Sequence, residues 1–150
     1  MNILFPIDRR QEMDGASYTG VANGNIQPCR FVVADGTGTA PYAANLVVQA
    51  TGATVGLFGI SQKSTRYVPW APLDDGYAAV AGEMLQIHGL GDDEALLAIS
   101  ATVVNGQELT SDSGGMGTPA ASGNYVGAIA KQEGNAGDQI RVRPIRYKLP

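Results

Sequence analysis

Ala136 to Arg143 reads AGDQIRVR. After a turn-forming Ala-Gly-Asp, the polar residues Gln139, Arg141 and Arg143 alternate with Ile140 and Val142. That period of two marks a strand with one face in a core and the other in water. The same arrangement occurs earlier as Ala81 to His88, AGEMLQIH. There Leu85 and Ile87 are expected inward, and His88 takes the place of Arg143 and so is expected on an outward, polar face. A chain that writes one strand pattern twice invites comparison with itself.

The comparison extends in both directions. Val55-Gly56-Leu57-Phe58-Gly59-Ile60 resembles Val126-Gly127-Ala128-Ile129-Ala130. Upstream of each lies an Asn-Gly turn, Asn23-Gly24 and Asn105-Gly106, followed by an Asp-containing, glycine-rich hairpin: ADGTGTAP (34–41) and SDSGGMGTP (111–119). Asp opens such turns and glycine supplies positive φ, which assigns Asp112, Gly114, Gly115, Gly137 and Asp138 to structural turns. Phe31-Val32-Val33 and Leu46-Val47-Val48 are short apolar runs between turn residues, the pattern of strands covered on both faces. Asp92 to Ile99 carries helix signals, with an Asp N-cap and acids in the first turn. The β-branched residues between Ile99 and Val104 and the Asn-Gly after them argue against a helix there. The expected fold is all-β, a small barrel or sandwich built from two related turn-and-strand modules. An N-terminal arm would occupy 1–22 and a single β domain 23–150. Within that domain the pseudo-repeats are 23–90, with an insertion at 61–77, and 105–143.

Composition agrees. The 150 residues are 44% hydrophobic and 16% charged, with 20 glycines, which excludes disorder and favours a turn-rich β chain. A chain of this length buries roughly 70% of its unfolded surface, so no metal or disulfide is needed to hold it. Cys29 is the single cysteine, expected as a buried thiol. The N-terminal MNILFPIDRRQEM is interrupted too early for a signal peptide. No stretch approaches the ~20 apolar residues of a membrane span, so a soluble protein made in the cytoplasm is expected, with no membrane partner. Between Arg66 and Lys131 there is no lysine or arginine but there are eight acids; Arg141, Arg143, Arg146 and Lys148 then reverse the sign. An acidic middle disfavours nucleic acid. The basic end is either one solvated strand face or a contact to an acidic neighbouring subunit.

Ser113 stands in Asp-Ser-Gly-Gly, the surroundings of a chymotrypsin-like nucleophile. That chemistry needs a histidine base and an orienting aspartate. His88 is the single histidine, placed in a repeat strand, so Asp112 to Gly115 reads as a hairpin turn and not as a catalytic site. Asp74-Asp75 and Asp92-Asp93-Glu94 lack the spacing of a calcium loop. No cofactor, metal or catalytic residue is assigned. Two regions have the character of contact surfaces. YVPWAP puts Trp70 between Pro69 and Pro72 with Tyr67 and Val68 just ahead of them, where the indole either anchors an interface or plugs the end of the fold. Leu4 and Phe5 beside Arg9 and Arg10 form either an arm that packs on a neighbour or an ordinary first strand. Arg146 joins them from the basic end.

The stretch Asn105 to Arg143 resembles the small head-decoration, or capsid cement, proteins of tailed phages. The resemblance rests on Gly106, Leu109, Ser111 and Asp112, then Val126, Gly127 and Ala130, then Ala136, Gly137, Asp138, Ile140 and Val142. RFVVADG and VGLFGIS in the first half fit it more loosely; the arm, the insertion around Trp70 and the terminal PIRYKLP fall outside it. It implies a β-rich, non-enzymatic virion protein on the outside of a phage head, bridging neighbouring major capsid subunits as a homo-oligomer, commonly a trimer. The rival readings are a carbohydrate- or receptor-binding module of a tail fibre, using Trp70 and the acidic loops, and a small serine hydrolase using Ser113.

Overall fold

A computed structural model describes residues 18–35, 46–53, 56–57, 59–67 and 72–150. The fold is all-β, with no helix among the described residues. The first half contains β1 (Tyr18–Ala22), β2 (Phe31–Ala34), β3 (Leu46–Gln49), β4 (Gly59–Ser61) and β5 (Met84–His88). They close into a barrel in the order β1-β3-β2-β4-β5. Closure comes from β1, which pairs antiparallel with β5 and parallel with β3. The second half contains β6 (Ala95–Ala98), β7 (Glu108–Ser111), β8 (Gly117–Pro119), β9 (Tyr125–Ala130) and β10 (Gln139–Lys148).

The second sheet has the order β6-β10-β9-β7-β8. An isolated parallel bridge between Ile99 and Gly117 joins the end of β6 to the start of β8. Each pairing therefore repeats one of the first half with every strand replaced by the strand five places later, including the parallel contact that closes the ring. The repeating unit begins earlier than the sequence pattern placed it. Tyr18–Ala22, assigned to the arm, is the first strand of the barrel, and Ala95–Ala98, where the sequence carried helix signals, is its counterpart. Backbone pairing of Ala95, Leu96, Leu97 and Ala98 with β10 outweighs the local helix propensity of those residues. The remainder of the arm, 1–17, and most of the ADGTGTAP hairpin lie outside the described residues.

Alternation sorts the side chains into two cores. Ala22, Ile26, Val32, Val47, Ala79, Leu85 and Ile87 fill the first barrel. Phe31 and Ile60, opposite each other on β2 and β4, join Ala50 and Leu57 in a larger cluster with Leu97, Ile99, Val103, Leu109, Ile140 and Val142 of the second half. Neighbouring residues of β2 thus enter different cores, which is why Phe31-Val32 reads as a continuous apolar run. On β3 only Val47 is buried, while Leu46 and Val48 are half-buried, so that strand is covered less completely than its sequence suggests.

The seam between the halves is close-packed. A Cβ on Gly127 would lie 2.5 Å from Phe31 Cε1 and 2.6 Å from Leu57 Cδ1, and one on Gly115 would lie 2.9 Å from Gln49 Cγ. Backbone bonds cross the same boundary: Phe31 N to Gly115 O (2.8 Å), Ala98 N to Cys29 O (2.9 Å) and Tyr125 N to Ala53 O (3.0 Å). Cys29 is fully buried and holds a left-handed φ of 56°, which no other described non-glycine residue adopts.

One turn design recurs along the chain. In Val80–Glu83, Gly89–Asp92, Val104–Gln107, Ala121–Asn124 and Asn135–Asp138, the fourth N–H donates to the first carbonyl. The third residue is always a glycine with positive φ, while the second is never in that region. That combination defines a type II turn. In each case the fourth side chain also accepts from the first residue's N–H, at 3.3, 2.8, 3.0, 2.9 and 2.8 Å respectively. An acid or amide at that position thereby satisfies a backbone donor that the sheet leaves unpaired.

Candidate interaction surface

The loop between β4 and β5 is longer than its counterpart between β9 and β10, and Arg66 organises it. Its guanidinium grips the Glu83 carboxylate through Nε (3.0 Å) and through a second, short contact from Nη2. Nη1 donates to Asp75 Oδ2 (2.9 Å) and to the Tyr67 hydroxyl (3.0 Å), and the guanidinium stands 4.7 Å from the centre of the Tyr67 ring. The Arg66 backbone N–H donates to Tyr77 O. One side chain thus ties residue 66 to both later parts of the loop and to the start of β5. The Arg66 guanidinium holds the Glu83 carboxyl below its ordinary pKa, with the Val80 N–H adding to the effect against the opposing cost of burial. The Arg66 pKa is raised, chiefly by Glu83.

Around this frame Asp74 Oδ2 accepts from Thr65 Oγ1 and Asp74 Oδ1 from Gly76 N, and Asp75 Oδ1 accepts from Tyr77 N. The acids are therefore engaged in shaping the loop. On it the chain exposes Leu73 at 80% and, where β5 begins, Met84 at 72%. Tyr67, earlier in the same loop, is also exposed. The described segments at 65–67 and 73–84, tied together by a bidentate arginine while presenting apolar side chains to water, are preorganised for contact, because little ordering entropy remains to be lost there on binding. Trp70, Leu4, Phe5, Arg9 and Arg10, the other expected contact residues, lie outside the described residues.

Asp112 closes the β7–β8 hairpin. Its Oδ1 accepts from the N–H of both Gly114 and Met116 at 2.8 Å, and its backbone N–H donates to Met116 O. Gly115 takes φ of 78°. The Gly114 carbonyl accepts from Gln49 Nε2 at 2.8 Å, so the hairpin docks onto β3 of the first barrel. Ser113 projects to solvent at its tip. The aspartate of the Asp-Ser-Gly-Gly motif is occupied as a turn acceptor, and the glycines serve the turn and the seam. Gly137 (φ 94°) and Asp138 sit in the type II turn that leads into β10.

His88 is a correction to the sequence reading. It is buried at 4% exposure, not outward. Its Nδ1 lies 3.8 Å from the Asp92 carboxylate, which also caps the Gly89–Asp92 turn. Its alignment with Arg143 misled because the two strands end differently. β5 stops at His88 and the next turn folds back over it, whereas β10 runs on for five residues after Arg143. Among the described residues, no group of three or more His, Cys, Asp and Glu is placed to hold a metal ion.

Arg146 is exposed on β10, at the rim of a shallow groove lined by Leu57, Gly59, Leu90, Gly127 and Pro144. It stands away from Tyr67 in the chain topology, so these expected contacts belong to different elements: an insertion loop of the first barrel and a strand of the second sheet. The Arg66 network escaped sequence reading. Its signal was an arginine followed by acids at 75 and 83, a spacing with no local periodicity.

The chain matches no protein-family model and no curated protein. In fold it is similar to the crystal structure of the N base of the head fiber gp8.5 of bacteriophage phi29, with a TM-score of 0.51 and 17% sequence identity. The superposition covers 89% of this chain and 96% of that one. At that identity the likeness is one of fold, and it spans nearly the whole of both chains.

Proposed function

We propose that this chain is a structural, non-enzymatic virion protein. It binds the outer surface of a phage head as a homo-oligomer and stabilises the shell by bridging neighbouring major capsid subunits. The observation that carries the reading is the fold shared, over 89% of this chain, with the N base of a phage head fiber. The resemblance of Asn105–Arg143 to head-decoration proteins supports it independently. The chemistry of the surface is compatible. The segments tied together by Arg66 present Tyr67 and Leu73, the acidic middle of the chain repels nucleic acid, and Asp112 is used for folding.

The mechanism is linkage. A protein that binds the assembled shell and not its separated subunits shifts the assembly equilibrium by its binding free energy at each site. Many copies with modest interfaces then resist the outward pressure of packaged DNA. Sedimenting undecorated heads of the encoding phage with the purified protein tests this. Protein recovered in the pellet at a saturating, fixed ratio to capsid subunits is expected; protein left in the supernatant at micromolar concentration contradicts it. A second reading, favoured by the likeness to the N base of a head fiber, is that the chain anchors a projecting fibre. Projections on decorated heads in negative stain would favour that reading over a flush coat.

A further inference from the structure

Half of the chain's ten lysines and arginines lie between Lys131 and Lys148, four of them on β10. Arg141, Arg143, Arg146 and Lys148 are all exposed. Strict alternation would put the first two and the last two on opposite faces, because 141 and 143 are odd while 146 and 148 are even. The register against β9 shows how this is avoided. Arg143 is opposite Ile129, but Lys148 is opposite Tyr125, with the pairing shifted by one residue between Pro144 and Tyr147. This β-bulge brings the second pair into phase with the first. Lys148 confirms the direction, its Nζ lying 5.4 Å from the centre of the Tyr125 ring. The result is a single row of four cations about 20 Å long.

Three of the row's four cations are poorly compensated within the chain. Among the described residues, Arg141, Arg143 and Lys148 form no ion pair, and Arg141 donates only to Gln132 Oε1. Alongside it lies the complementary charge. Val142 is opposite Ala95 on β6, so Arg143 stands next to Glu94, at the end of the exposed pair Asp93-Glu94. The Glu94 carboxylate turns instead to Lys131 Nζ at 3.1 Å, with 45% of its side chain still exposed. A surface with a positive row beside a negative pair is complementary to itself across a two-fold axis.

We propose that the β10 row is a self-association surface, which docks Arg141, Arg143 and Lys148 of one copy against Asp93 and Glu94 of a second. The contact pairs copies two by two, whatever larger assembly they join, and it stands independently of the proposed binding to a phage head. It is electrostatic and partly exposed, so it weakens as salt shortens the reach of the charges.

Sedimentation velocity of the full chain tests it with two charge reversals: Arg141→Glu with Arg143→Glu and Lys148→Glu, and Asp93→Lys with Glu94→Lys. The wild type is expected to associate at low salt and to dissociate at about 0.5 M salt, where the Debye length falls below about 5 Å. Each variant alone is expected to lose association about tenfold or more, and an equal mixture of the two is expected to recover it. Far-ultraviolet circular dichroism checks folding, and a neutral set (Arg141→Gln, Arg143→Gln, Lys148→Gln) replaces any reversal that fails to fold. A wild type that stays monomeric, a reversed row that associates as the wild type does, or a mixture that recovers nothing would each overturn the assignment. Head-binding by a wild type that stays monomeric would leave binding to the head standing while this assignment fell.

Discussion

Asp112 and Ser113 are adjacent, and the structure gives them opposite expectations. Asp112 Oδ1 accepts two backbone N–H groups of a half-buried hairpin. Asp112→Ala is therefore expected to lower stability by about 1–3 kcal/mol, the cost of stranding donors that had a charged acceptor. Asp112→Asn, which keeps an oxygen in place, should cost less. Ser113→Ala removes an exposed hydroxyl and is expected to stay within about 0.5 kcal/mol of the wild type. Urea midpoints of the three variants check this ordering; equal losses for Asp112→Ala and Ser113→Ala would contradict the turn assignment. Glu83 carries a second expectation at this scale. Its folded pKa lies below its unfolded value, so its contribution is fully present above the unfolded pKa and is lost as pH falls through the folded one. With the side chain 37% exposed, the contribution is small. Stability profiles of wild type and Glu83→Gln are expected to diverge above about pH 4.3 and converge in stronger acid.

Among the elements, glycines separate two kinds of constraint. Gly127 has no room: a Cβ there collides with Phe31 and Leu57. Gly127→Ala is expected to cost about 1–3 kcal/mol by overpacking the seam. Gly137 has open space but a φ of 94°, so Gly137→Ala is expected to cost about 1–2 kcal/mol through backbone strain alone. A crystal structure of each variant would distinguish them, with Phe31 displaced in the first and only the turn altered in the second. The same elements mark how far the sequence could be read. Alternation at Leu85–Ile87 and Ile140–Val142 is a local signal and identified strands with the correct faces inward. Ala-Gly-Asp and Ala-Gly-Glu identified two of the type II turns, though Gly91-Asp92 and Gly123-Asn124 use the same chemistry without standing out. What stayed hidden depended on partners distant in sequence. β6 is a strand because β10 lies beside it, His88 is buried because Asp92 folds over it, and Gly127 is required because Phe31 arrives from the other half. The row on β10 was visible as charge, but its common face depends on a bulge that no residue pattern announces.

At the scale of the whole molecule, two sheets with the same order of pairings share one seam, and a long loop distinguishes the first from the second. Tandem halves with equivalent strand order provide repeated outer surfaces while burying a common core, and the differences between the halves are where individual contacts can be built. Here those differences are the Arg66 loop with Tyr67 and Leu73, and the extended, basic β10. The proposed role requires these surfaces to meet an assembled shell from outside. Image reconstruction of undecorated heads incubated with the protein tests that requirement most directly. The account predicts added density on the outer surface, lying across junctions between neighbouring capsid subunits. Heads without added density, or density confined to the interior or within single subunits, would contradict it.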